Sequence, residues 1–201
     1  SDKAPSQVNL QLSANPPVAI SHDEWVALRD ELWNYGRDFR TKEHKSTPQQ
    51  CAYRASLAMN QMQELYHVSL FVVGGQGRLL AERALTCFLG EPPQTNFVSI
   101  SDRIDQYKIA GGDSKVVDAL HHLRKSGNHT DHDDTPDLKP SDKPKIIAAA
   151  CTVARTIIEF LKNPPRQRQP QVQQLNQQDQ QQQRMSHQRQ GMTPQGMMGI
   201  G

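Results

Sequence analysis

The sequence predicts an all-α bundle, and three observations carry that prediction. Apolar residues recur at steps of three and four through most of the middle of the chain. Helix-start signals precede several of these stretches: a hydroxyl or carboxylate, then an acid or amide three residues on. No set of alternating apolar and polar residues marks out strands.

Residues 1–19 read as a flexible arm, with Pro5, Pro16 and Pro17 and no periodicity. Ser21-His22-Asp23-Glu24 then has capping-box spacing, with Ile20 and Trp25 placed as a hydrophobic staple. Trp25, Leu28, Leu32, Tyr35 and Phe39 share one helical face, which predicts a helix to about Glu43. Thr47-Pro48-Gln49-Gln50 opens a second helix: an N-cap, a proline at the first helical position and a glutamine to reach back. Its apolar face is Cys51, Ala55, Ala58, Met59, Met62, Leu65 and Tyr66, and it is expected to run to about His67.

In "SLFVVGGQG" the apolar run suits a short strand or a continuing helix, and Gly74-Gly75 are expected to stop either. The glycines read as a helix-to-helix turn. They lack the Gly-Lys-Ser/Thr ending of a P-loop and the spacing of GxGxxG. A third helix is predicted over Arg78–Leu89, then a loop at Pro92-Pro93. A short helix follows from Ser99 to about Lys108, with Ile100, Ile104 and Tyr107 on one side, and Gly111-Gly112 break it. Asp113 caps the next helix, which turns Val116, Val117, Leu120 and Leu123 inward. A polar loop from Gly127 to Ser141 leads to the last helix, about Lys143–Leu161, whose stripe is wide enough for a central helix or a subunit contact. The helical domain is thus 20–162. From residue 163 the chain is glutamine-rich and lacks the apolar content to offset ordering entropy, so 163–201 is expected to be disordered.

The 201 residues suffice for one domain with tails. Mean hydropathy is −0.73, and the polarity is concentrated at the ends. The formal charge is +2; four arginines against one aspartate put +3 beyond Asn163 and leave −1 on residues 1–162. So near-neutral a body argues against binding nucleic acid by bulk electrostatics. Cys51, Cys87 and Cys151 are odd in number, far apart and in apolar settings, which points to buried free thiols in a reducing compartment. No apolar run reaches the ~20 residues of a membrane span, and no basic-then-apolar leader opens the chain. An intracellular protein is expected, cytoplasmic first with the nucleus left open, and with no membrane association.

The segment "ISDRIDQYKIAGGDSKVVDALHHLRKSGNHTDH" resembles the HEPN superfamily of small helical nucleases and nucleotide-associated domains. The nearest pattern is that of an uncharacterised branch with Leu-His-x-x-Arg-x-x-Gly-Asn-x-x-x-His, here Leu120, His121, Arg124, Gly127, Asn128 and His132. Arg103, Ile104 and Tyr107 match an upstream Arg-Ile-x-x-Tyr, and "YRASLAMNQMQELY" fits the same branch. The likeness covers about 47–162. It implies a bundle of four to five helices that pairs as a homodimer, with Arg and His of two protomers lining one cleft. It further implies metal-independent attack by an RNA 2′-OH, the His moving a proton and the Arg holding phosphate. The branch pattern selects His132; the broader nuclease spacing of four to six residues after Arg selects His129.

The residues themselves leave two readings open. If the helix continues past Gly127, then His121, Arg124, Asn128 and His132 share a face, and a guanidinium, an amide and imidazoles suit a phosphate and a proton transfer. If it ends there, Asn128 begins a turn and the stripe dissolves. The same residues then serve packing in a non-catalytic dimerisation or adaptor module, with Arg124 paired to a carboxylate such as Glu64 or Asp118. Asp131, Asp133 and Asp134 repel phosphate, so a phosphate site needs Arg124, Lys125 and a second protomer's arginine to outweigh them. His121, His122, His129 and His132 with those acids offer metal-ligand chemistry, but no HExxH-type spacing is present. Neither a metal nor a cofactor is expected. No nucleophile elbow frames Ser126.

Overall fold

The computed structural model describes residues 20–128 and 138–165, together with Gly199. The expected arm over 1–19, residues 129–137 of the polar loop and nearly all of the glutamine-rich segment lie outside the described residues. The chain divides into two units, Ser1–Pro164 and Pro165–Gly201. All the described helices fall in the first unit.

The described residues form six α-helices and no strand: α1 (His22–Gly36), α2 (Pro48–Glu64), α3 (Leu70–Leu89), α4 (Ile100–Ile109), α5 (Ser114–Ser126) and α6 (Lys143–Lys162). The all-α class agrees with the apolar periodicity and the capping residues of the sequence. Five helices, α2 to α6, lie in the range of the family resemblance, and α1 precedes it. No helix among the described residues is long and apolar enough to cross a membrane.

Local chemistry sets most boundaries. The Ser21 side chain accepts from the Glu24 backbone N–H at 3.1 Å, but the Glu24 carboxylate turns away from the cap to pair with Arg155 of α6. α1 stops at Gly36, short of the expected Glu43; Gly36 is buried against the start of α2, where a Cβ would strike the Gln49 carbonyl and Tyr53. Thr47 caps α2 through the Gln50 N–H at 3.1 Å. The buried Gln50 amide spans the connection, donating to Phe39 O at 3.1 Å and Thr41 O at 2.9 Å. Ser99 and Asp102 form a complete capping box on α4, and Asp113 caps α5.

The connection between α2 and α3 departs from expectation. The glycines of "VVGGQG" are neither a stop nor a turn; they lie inside one continuous helix, Leu70–Leu89. At Gly74 and Gly77 tertiary packing outweighs poor helix propensity. A Cβ on Gly74 would overlap the Ser126 carbonyl at the end of α5 and meet Leu138 at 3.0 Å. A Cβ on Gly77 would press Leu123 at 3.1 Å and Ile146 at 3.4 Å. The missing side chains let α3 lie directly on α5 and α6.

α6, like α3, packs on four other helices, in its case α1, α2, α3 and α5. It buries Ile146, Ile147, Ala150, Val153, Ala154, Ile157 and Ile158. Cys51, Cys87 and Cys151 are free and buried in the same core. Desolvation raises their thiol pKa values, to about 11 for Cys51 and about 12 for Cys151. They are packing residues rather than nucleophiles.

Candidate functional site

The family-like residues gather at the C-terminal end of α5, where it meets α3. α5 buries Val116, Val117, Ala119, Leu120, Leu123 and Ser126. That leaves His121, His122, Arg124, Gly127 and Asn128 half-buried at its margin. Arg124 and Lys125 occupy the last turn, where cations complement the negative end of the helix dipole.

The helix ends at Ser126. Gly127 is the C-cap, at φ −96° and ψ −3°, and its N–H reaches back to Arg124 O and Lys125 O. Asn128 follows with its N–H on Lys125 O at 3.2 Å and is no longer helical. The stripe that would carry Arg124 and Asn128 onward to His132 along one helix therefore breaks at Gly127. His129 and His132 lie outside the described residues, as do Asp131, Asp133 and Asp134.

Asn128 has a definite role. Its side-chain oxygen accepts from the Arg78 guanidinium of α3. Gly127 makes room for this, because a Cβ there would overlap the Arg78 side chain from Cβ to Cδ. Arg78 also pairs with Glu82 one turn along α3, at 3.6 Å. The Gly-Asn pair thus binds α5 to α3 around one arginine. Arg78 is invisible to sequence reasoning: fifty residues separate it from Asn128, and its neighbours read as a turn.

Arg124 forms no ion pair among the described residues, neither with Glu64 nor with Asp118. Its Nε is buried without a hydrogen-bond partner there. His121, three residues earlier, has its pKa lowered first by burial and then by the Arg124 charge, with Asp105 and Asp118 opposing. Burial likewise lowers His122, against the attraction of Asp142. Its Nε2 is also buried without a partner among the described residues. Ser126 is buried, and its hydroxyl donates to His122 O at 2.8 Å, so it is not poised as a nucleophile.

The upstream family-like residues prove structural. Arg103 is 7% exposed, and its guanidinium donates to Leu85 O at 3.4 Å and to Gly90 O at the end of α3. Ile104 is fully buried, and Tyr107 stacks on Phe88 at 5.1 Å. A shallow recess lined by Arg29, Trp33, Leu57 and Asn60 is built from α1 and α2 and shares no residue with α5. Among the described residues no group of three or more His, Cys, Asp or Glu is placed to hold a metal ion.

Comparison with protein-family models, with curated proteins and with solved structures returns no match. The α5 end combines a half-buried guanidinium with an unpartnered N–H, a lysine, a second arginine held by Asn128 and histidines biased to the neutral form.

Proposed function

We propose that this chain is a HEPN-like helical domain that binds the phosphate of RNA or of a nucleotide at the α5 end. Arg124 is the principal phosphate ligand, and Lys125 adds charge. Asn128 acts indirectly, by fixing Arg78. His132, with His129 as the competing choice, transfers the proton in metal-independent RNA cleavage across a homodimer cleft. The observation that carries this reading is Arg124: a half-buried guanidinium at a helix end whose Nε–H has no partner among the described residues. No carboxylate among the described residues pairs with its guanidinium either, and a charge-assisted bond from its terminal nitrogens to an anion would offset the cost of its burial. An intracellular setting accords with three reduced thiols.

The second reading, a non-catalytic dimerisation or adaptor module, is favoured by Asn128 and Gly127, whose contacts to Arg78 serve helix packing. An RNA cleavage and binding assay in EDTA separates the two, comparing wild type with Arg124→Ala, His132→Ala and His129→Ala, each checked for folding and mass. Phosphate binding predicts weaker RNA retention by Arg124→Ala; catalysis predicts that one histidine variant binds but does not cleave. Wild-type protein that neither binds nor cleaves leaves the adaptor reading.

A further inference from the structure

Helix α3 carries a surface stripe that its own packing does not explain. Phe71, Gly75 and Arg78 are four and three residues apart and share one face. Phe71 is 55% exposed. Gly75 is exposed, and a Cβ built on it would meet nothing within 4 Å. Its neighbours Gly74 and Gly77 are required by close approach to α5 and α6; Gly75 is not. An exposed glycine inside a helix is disfavoured relative to alanine, and no contact among the described residues offsets it. The glycine leaves a flat notch between an exposed aromatic ring and a guanidinium fixed by Asn128.

We infer that this stripe is a base-stacking platform for an unpaired nucleobase whose phosphate is held at the α5 end; the inference rests on the phosphate-binding function proposed for that end. The base lies over the Gly75 notch against the Phe71 ring, and its phosphate faces Arg78 and Arg124. The two turns from Phe71 to Arg78 cover about 10 Å, the reach of one nucleotide from base to phosphate. Aromatic stacking beside cations is how single strands are held without sequence readout. It also lets a body of charge −1 bind RNA without a broad basic surface. Glu82, paired to Arg78 on the far side from Phe71, repels phosphate and disfavours a register shifted toward the C-terminal end of α3.

The test is fluorescence anisotropy of the full chain with a labelled ten-nucleotide oligouridylate, with adenosine monophosphate and inorganic phosphate as competitors. The variants are Phe71→Ala, Phe71→Trp, Gly75→Leu and Arg124→Gln, with far-UV circular dichroism and light-scattering mass for each. Phe71→Ala and Gly75→Leu are expected to weaken binding about 5- to 100-fold, the loss of one stacked base. Phe71→Trp should restore it, with the indole fluorescence quenched by the bound base. Competition by the nucleotide well below the concentration of phosphate needed assigns the site to a free nucleotide as well; competition by neither assigns it to the strand. If Arg124→Gln abolishes binding while Phe71→Ala and Gly75→Leu bind as wild type, phosphate binding stands and the platform is overturned. If Phe71→Ala halves the mass of a dimer instead, the stripe is a contact between copies and the platform is equally overturned. Absence of wild-type binding removes both readings.

Discussion

Closely spaced glycines in one helix have opposite consequences for substitution. At Gly74 a methyl group would overlap the Ser126 carbonyl, a backbone atom that cannot yield without moving the end of α5. Gly74→Ala is therefore expected to destabilise the fold by about 1–3 kcal/mol. At Gly75 the same methyl meets open space, and Gly75→Ala is expected to stabilise by about 0.4–1 kcal/mol through helix propensity and unfolded-chain entropy. Paired urea titrations read both signs. His122 makes a second residue-scale prediction. Burial lowers its pKa below the ordinary value of 6.5, so the fold favours the neutral ring. Its stabilisation is complete above pH 6.5. As pH falls below that, the unfolded chain takes up the proton first, and stability drops until the folded-state pKa is passed. The slope of unfolding free energy between pH 7 and pH 5 should flatten in His122→Gln; an unchanged slope would assign it to His121, whose pKa is also lowered.

At the scale of elements, how readily each helix can be read depends on where its defining forces come from. α2, α4 and α5 carry their start signals in the chain: Thr47 with Pro48, Ser99 with Asp102, and Asp113. Their apolar periods match the faces they bury. α3 is misread when its glycines are weighed by local propensity, because the advantage of Gly74 and Gly77 is contact with Ser126, Leu123 and Ile146, 46 to 69 residues away. The candidate site divides in the same manner. Arg124 and the Gly127 helix end are legible from motif and spacing; the Arg78–Asn128 bond is not, since no local pattern reports a partner on another helix. Arg103 is legible as a family-like position but not as a cap. It gathers the carbonyls of Leu85 and Gly90 where α3 ends, and Gly90 adopts φ +80° there. Arg103→Met keeps most of the volume and removes the donors, so it is expected to cost about 1.5–3 kcal/mol. Calorimetry should show the lowered melting temperature.

For the molecule as a whole, the three thiols act as depth markers. Cys51, Cys87 and Cys151 sit on α2, α3 and α6 in one core, each with its pKa raised by burial. Native protein is expected to resist iodoacetamide at pH 8 at all three positions. Labelling in low denaturant should then track global opening rather than fraying. Fast modification of a single cysteine in the absence of denaturant would mean that its helix opens separately.

The position of α6 also bears on how the chain acquires its structure on the ribosome. This helix supplies a wall of the core to α1, α2, α3 and α5, and Arg155 and Lys162 pair it with Glu24 and Glu31 of α1. The first and last helices are therefore neighbours, although the Glu24–Arg155 pair closes a loop of 131 residues. Until α6 emerges during translation, the apolar faces of the earlier helices have no common partner. The nascent chain can already pack α1 on α2 and α2 on α3 but leaves uncovered the faces that α6 will bury, a state that invites chaperone capture, and the domain closes in a late step once α6 is free.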